Sequence, residues 1–371
     1  MMAAPAPQEF FRVNRTASEI KAEIFRQFFP AWCRLQSLAP EAEALVYVDL
    51  LAVEQVQQEP DAQQEQVRLF SNIEPNQPLR LFFGATSRLE QDILKQQSAI
   101  PVSENGLPYP TLLLQEPENQ LPLSELLASG YPALVVSDPL ATPYAQQLFL
   151  ESSKTQSADL LLLLHPKKLR AAFTGKKTPA IITELFSTRL AAIQDFCRRE
   201  KSAQGQEAYL VTQLGELLRE QGRFTLDFRV DAPDKDQTSL YLLFASRSVP
   251  VYKAFKAILL PYSDYQQDGV PLFGANLKQV QQLALFPEQL RYSVQKLAED
   301  LAQNASQYNY KTIEKIAEDH HPGTHYIKEN YRLAIEKLRD QGKAEILNPK
   351  TLQTVRKATL ASPVKFKQQE K

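Results

Sequence analysis

Glycine is scarce: the chain has 11 in 371 residues, where average usage of about 7% would give about 26. The shortage counts against sites built on glycine-rich phosphate loops. Neither GxGxxG nor GxxxxGK followed by Ser or Thr occurs, which argues against a P-loop NTPase and against an ordinary dinucleotide-dependent dehydrogenase. Cysteine is scarcer still. Cys33 and Cys197 stand apart among apolar and helix-forming residues, a pattern that fits neither a disulfide scaffold nor a zinc module. No His or Asn companion marks either thiol as a nucleophile, so burial is the expectation for both. His320, His321 and His325 lack a Cys or carboxylate at zinc spacing, so no metal is expected. Long apolar runs are missing too. Runs such as 44–48 and 160–164 fall far short of the roughly 20 residues a membrane span needs. With no basic-then-apolar leader, the chain is expected to be soluble, cytoplasmic and without a membrane partner.

What is present begins with charge. The net charge of -1 hides an asymmetry: residues 1–150 carry 9 Lys and Arg against 18 Asp and Glu, whereas residues 290–371 carry 15 against 10. A polyanion contact therefore belongs to the C-terminal part or to the basic stretch 165–201, unless these charges are simply solvated helix faces.

Periodicity supplies the architecture. Thr16 with Glu19 reads as a capping box opening a helix over 16–38, which Pro30 must kink or divide. Short apolar strands follow at 45–51, ending near Asp49, and at 79–83, 111–114, 133–139 and 159–164, alternating with helices at 87–97, 124–128 and 142–152. A polar Gln-rich stretch, 54–77, separates the first two strands. That alternation implies βαβ units and a parallel sheet. Two further strands, 224–230 and 239–245, flank a short polar loop and form an antiparallel hairpin. Five parallel units closed by such a hairpin make an α/β, methyltransferase-like Rossmann sheet. Beyond residue 283 the pattern is helical: 290–303, 311–320 and 324–341, the last with Ile327, Tyr331, Ala334, Ile335 and Leu338 on one face and Gly342 as its stop. Residues 343–347 and 355–360 can pair as a wing, giving a winged-helix-like domain with 324–338 as the recognition helix. The expected divisions are an N-terminal helical segment, 1–44, a Rossmann domain, 45–275, and the winged-helix-like domain, 283–371.

Several segments then match one family in order and spacing. The Phe28-Phe29-Pro30-Ala31-Trp32 segment upstream of VYVDLLA (46–52), the Asp138-Pro139-Leu140 strand end, the stretch SLYLLFASRSVPVYKAFKAI (239–258), and Asn330, Tyr331, Leu338 and Gly342 near the end together resemble the three-Cys-motif partner protein family, TcmP. The resemblance spans roughly residues 20–345. It implies a methyltransferase-like core, a partner with a radical-SAM-like three-cysteine motif, and a bacterial nucleic-acid-directed system of the phage-defence kind.

The departures bear on the cofactor. The family pattern FAGPG after the first strand, whose glycines let backbone approach S-adenosylmethionine, reads here Leu51-Ala52-Val53-Glu54-Gln55, and the DPFG of the later strand end reads DPLA. The second strand ends Phe83-Gly84-Ala85-Thr86, with no carboxylate for ribose hydroxyls. Asp49, Glu54, Gly84 and Thr86 are thus candidates for a degenerate cofactor site, and no cofactor is expected. Asp138 and Pro139 would be catalytic only in an active enzyme. Strand-end aspartates otherwise cap the following turn. His165, after the fifth strand, reads as a loop residue. In the winged-helix-like domain, His325, Lys328, Asn330, Arg332, Lys343, Lys350, Arg356 and Lys357 are the candidate contacts to DNA or RNA, with Lys and Arg on phosphates and Asn330 on an adenine edge. The leading expectation is a binding or scaffolding subunit with a catalytically degenerate methyltransferase fold. Its alternatives are an active S-adenosylmethionine-dependent nucleic-acid methyltransferase and a protein adaptor that binds no nucleic acid.

Overall fold

The computed structural model describes residues 7–38, 44–51, 78–83, 111–114, 117–175, 177–234, 237–277 and 291–367; the stretch 54–77 and the helix expected at 87–97 lie outside them. The chain divides into two compact units, Met1–Pro261 and Tyr262–Lys371. The N-terminal helix belongs to the first unit, because its aromatic face is buried on the sheet, and the division falls at 261 where the sequence suggests 275.

Helix α1, Ala17–Gln36, opens with the capping box. Thr16 Oγ1 accepts the Glu19 N–H at 3.2 Å and Glu19 Oε2 accepts the Thr16 N–H at 2.7 Å, satisfying two donors that a helix start leaves open. Where the sequence predicts a kink or break at Pro30, the helix runs through undivided. Pro30 and Arg26 both face solvent, so the Arg26 carbonyl that loses its donor can be hydrated. Phe28, Phe29 and Trp32, all fully buried, hold the helix on either side.

Among the described residues of this unit, seven strands form a sheet: β1 Leu45–Asp49, β2 Leu79–Phe83, β3 Thr111–Leu113, β4 Ala133–Ser137, β5 Ala158–Leu164, β6 Phe224–Asp231 and β7 Thr238–Ser246. Their order is β3-β2-β1-β4-β5-β7-β6. Pairing is parallel from β3 to β5, and β7 runs antiparallel to both β5 and β6. This is the methyltransferase-like Rossmann sheet that the βα alternation and the terminal hairpin imply. Side-chain alternation with period 2 splits the strands between two faces. Val46, Val48, Val135, Leu160, Leu162 and Leu164 join a core with α3 (Pro143–Lys154), α4 (Pro166–Thr174) and α7 (Ala203–Glu220), numbered after α2 (Pro117–Ala128) with α5 (Ala180–Phe186) and α6 (Leu190–Arg199) between. On the opposite face the rings of Phe28, Phe29, Tyr47, Phe244 and Phe255 interlock between α1, the sheet and α8, Val249–Leu259. Asp49 shares parity with Tyr47 and so points to the α1 side.

The second unit holds α9 Val294–Gln303, α10 Ile313–His320, α11 Lys328–Asp340 and the strands β8 Ala344–Ile346 and β9 Val364–Phe366. Leu297, Leu301, Ile313, Ile316, Tyr331, Ile335, Leu338, Ile346 and Val364 share one core. Gly342, at φ +72, ends α11: its N–H donates to the Arg339 carbonyl and the Lys343 N–H to that of Leu338, both at 2.8 Å. These are the paired bonds of a Schellman stop. The wing differs from the sequence expectation. β8 pairs antiparallel with 364–366, and 355–360 is not a strand. Val364 and Phe366 alternate inward around exposed Lys365, so this segment fills the core as a strand must.

Candidate cofactor and nucleic-acid surfaces

In parallel α/β sheets ligands bind in the crevice beyond the carboxyl ends of the strands. Here those ends lie side by side, Asp49 in register with Phe83 and with Val136, and Asp138 one residue past β4. Asp49 is wholly buried and its oxygens are committed within the protein. Oδ1 accepts the Leu51 N–H at 2.9 Å, while Oδ2 accepts from Tyr47 Oη at 2.8 Å and from Lys21 Nζ at 2.6 Å. Lys21 is itself 3% exposed. Burial together with the adjacent Asp49 charge holds the Tyr47 hydroxyl well above the usual tyrosine range, so the phenol stays a donor.

Sequence reasoning missed Lys21. The signal was available, since Lys21 falls in the stripe of Ile20, Ile24, Phe25 and Phe28, and a charge on a buried helix face demands a buried partner. The FFPAW segment likewise has a structural task. Trp32 Nε1 and Gln36 Nε2 each donate to Asp159 Oδ2 at 2.8 Å, pinning α1 to the start of β5. Burial pushes the Asp159 carboxyl upward in pKa, partly opposed by these donors.

Asp138 is 2% exposed; its Oδ1 accepts the Leu140 N–H at 2.9 Å and its Oδ2 lies 3.3 Å from the half-exposed Lys168 ammonium. Pro139 is buried and, with Leu140, Leu164, Phe173 and Ile182, borders an apolar cavity. His165 precedes α4 and makes no capping bond through its side chain. Of the cofactor candidates, Asp49 is described, and Glu54, Gly84 and Thr86 lie outside the described residues. Cys33 and Cys197 are free and buried. Burial raises both thiols, Cys33 to about 12.

In the second unit the candidates separate into two groups. Asn330 faces inward, fully buried: its Oδ1 accepts the Ile327 N–H and its Nδ2 donates to the Gly269 carbonyl, both at 2.9 Å. It cannot read a base edge, because both ends of the amide are used to tie the start of α11 to residue 269. His325 stacks on Tyr292 at 4.5 Å and meets Phe273 edge-on at 5.0 Å, an aromatic packing role. Lys328 pairs with Glu314, and Arg332 with Glu329 and Glu336. Lys343, Lys350, Arg356 and Lys357 form the other group, without an acidic partner among the described residues; the last three are exposed. His320 bridges Asp300 Oδ2 and Tyr331 Oη at 2.7 Å each. Among the described residues no cluster of three or more His, Cys, Asp or Glu is placed to hold a metal, and no helix is long and apolar enough to cross a membrane.

Residues 275–351 match the family model described as GMT-like wHTH domain, coincident with the helices and the first wing strand described above. No curated protein matches the chain. Among solved structures, the O-methyltransferase TomG from Streptomyces achromogenes, involved in tomaymycin synthesis and determined with SAM, is similar at 10% identity and a TM-score of 0.28, over 64% of this chain and 92% of that one. The assignment of the sheet rests on its own strand order.

Proposed function

We propose that this chain is a TcmP-like binding or scaffolding subunit, a methyltransferase fold whose cofactor site is degenerate and whose winged-helix domain engages nucleic acid within a bacterial system of the phage-defence kind. The observation that carries the first half is the commitment of Asp49. A carboxylate at the end of β1 that serves a soluble cofactor needs an exposed oxygen, and both of these are buried on Lys21, Tyr47 and the Leu51 amide. The sequence supports the same reading, since the turn that follows has exchanged its glycines for Ala52, Val53 and Glu54. Unpaired wing cations support the second half. A three-cysteine-motif protein is the partner that the resemblance implies. Calorimetry with S-adenosylmethionine tests the cofactor claim: no heat is expected at millimolar ligand, and micromolar binding would favour the active nucleic-acid methyltransferase instead. Retention of nucleic acid at low salt, lost at moderate salt, is expected from phosphate contacts; no retention would favour the protein adaptor.

A further inference from the structure

Charge within the winged-helix unit is divided in a way that a recognition helix would not predict. Residues 313–336, which hold α10 and most of α11, carry three Lys or Arg and five Asp or Glu, whereas residues 337–367 carry eight against two. In the first half of α11 both cations are covered: Lys328 by Glu314, Arg332 by Glu329 and Glu336. Exposed pairs of this kind are individually cheap to break, but breaking them would leave the carboxylates facing phosphate. Arg332 holds Glu329 below the usual carboxylate range, so that acid stays ionised at neutral pH.

The wing presents the opposite picture. Its loop is ordered by its own bonds: Asn348 Oδ1 accepts the N–H groups of Lys350 and Thr351 at 2.8 and 3.1 Å, Leu352 N donates to the Asn348 carbonyl at 2.9 Å, and Val355 N to that of Ile346 at 2.8 Å. Arg339 fastens the loop to the end of α11 through the Arg356 carbonyl. At its tip Leu352 is 60% exposed and held at φ +56, a backbone region that strains a non-glycine residue. A strained, solvent-facing leucine sits between Lys350 on one side and Arg356 and Lys357 on the other.

We propose that this wing, and not the α11 face, is the nucleic-acid surface, and that it docks on duplex DNA with Lys343, Lys350, Arg356 and Lys357 on phosphates and Leu352 at the minor groove. The inference rests on the nucleic-acid reading above and specifies its surface. A minor groove about 6 Å wide admits one apolar side chain, and its phosphate rims suit flanking cations. A-form RNA offers a wide, shallow minor groove without that fit. Contact through phosphates and one apolar tip is largely sequence-independent.

Anisotropy titrations of the full chain with a labelled random-sequence DNA duplex, at several salt concentrations, test this. Each phosphate contact contributes about 0.9 to the salt slope, so the variant Lys350→Ala/Arg356→Ala/Lys357→Ala should bind at least tenfold more weakly with a slope smaller by about 2–3. Lys328→Ala/Arg332→Ala should bind within about twofold of the parent, and Leu352→Ala should lose affinity with its slope unchanged. All substituted positions are at the surface, and circular dichroism should show native folding. Loss in the α11 variant with none in the wing variant would overturn the wing assignment and leave the nucleic-acid reading standing. Tighter binding of an RNA duplex than of DNA would overturn the minor-groove assignment. A parent that retains no duplex at low salt would overturn both.

Discussion

Asp49 and Asp138, at the ends of two adjacent parallel strands, are held in the same way. In each, Oδ1 accepts from the backbone N–H two residues ahead, at 2.9 Å, and Oδ2 accepts from a lysine on a helix, Lys21 at 2.6 Å and Lys168 at 3.3 Å. The difference is burial. Lys21 is enclosed and Lys168 is half exposed, so the first pair is a fixed part of the core and the second is open to exchange with solvent.

That difference yields the first prediction. Lys21→Met leaves the Asp49 carboxylate buried without its counter-charge, which costs about 3–5 kcal/mol, whereas Lys168→Met at the exposed pair should cost less than about 1 kcal/mol. Denaturant unfolding of the two variants checks the contrast. Equal losses would mean that Asp49 is solvated in solution.

The second prediction concerns pH. Burial raises Asp159, so the folded state holds its proton to higher pH than the unfolded state does. This contribution to stability is fully present below the unfolded carboxylate pKa and is lost as pH rises through the folded one. The Tm difference between the parent and Asp159→Asn should therefore shift against the parent as pH climbs above the ordinary aspartate range, then level off. A difference that shifts toward the parent would reverse the assignment.

The thiols supply the third. With Cys33 raised to about 12 and Cys197 also raised by burial, a disulfide reagent should titrate no thiol in the native protein and both in denaturant. Rapid native labelling at Cys197 would show that α6 opens.

Asn330→Ala is the fourth. It strands the Ile327 N–H and the Gly269 carbonyl, and a loss of about 1–3 kcal/mol is expected in unfolding of the second unit. DNA affinity measured well below the transition should not change. A selective loss of affinity would return Asn330 to the binding surface.

Much of this was legible in the chain. The capping box of Thr16 and Glu19, the apolar runs ending at Asp49 and Asp138, and the hairpin of β6 and β7 are local signals, each complete within a few residues. Asn330 was misplaced by the sequence reading, which put it on an adenine edge, although it stands three residues after Ile327 and four before Ala334, inside the apolar stripe that directs it inward. Other features were not legible. β9 is three residues long with a lysine at its centre, too short for alternation to separate it from the longer 355–360. The pairing of Lys21 with Asp49 joins positions 28 apart and is fixed by how α1 crosses the sheet. The neutralisation of Lys328 depends on Glu314 from another helix, which no spacing along α11 reports.

The buried Lys21–Asp49 bond also acts as a lock on the end of β1. Its carboxylate can be freed only by removing Lys21, and removing Lys21 leaves an unpaired charge in the core. Opening this strand end to solvent therefore carries a loss of folding stability, whatever residues follow it in the chain.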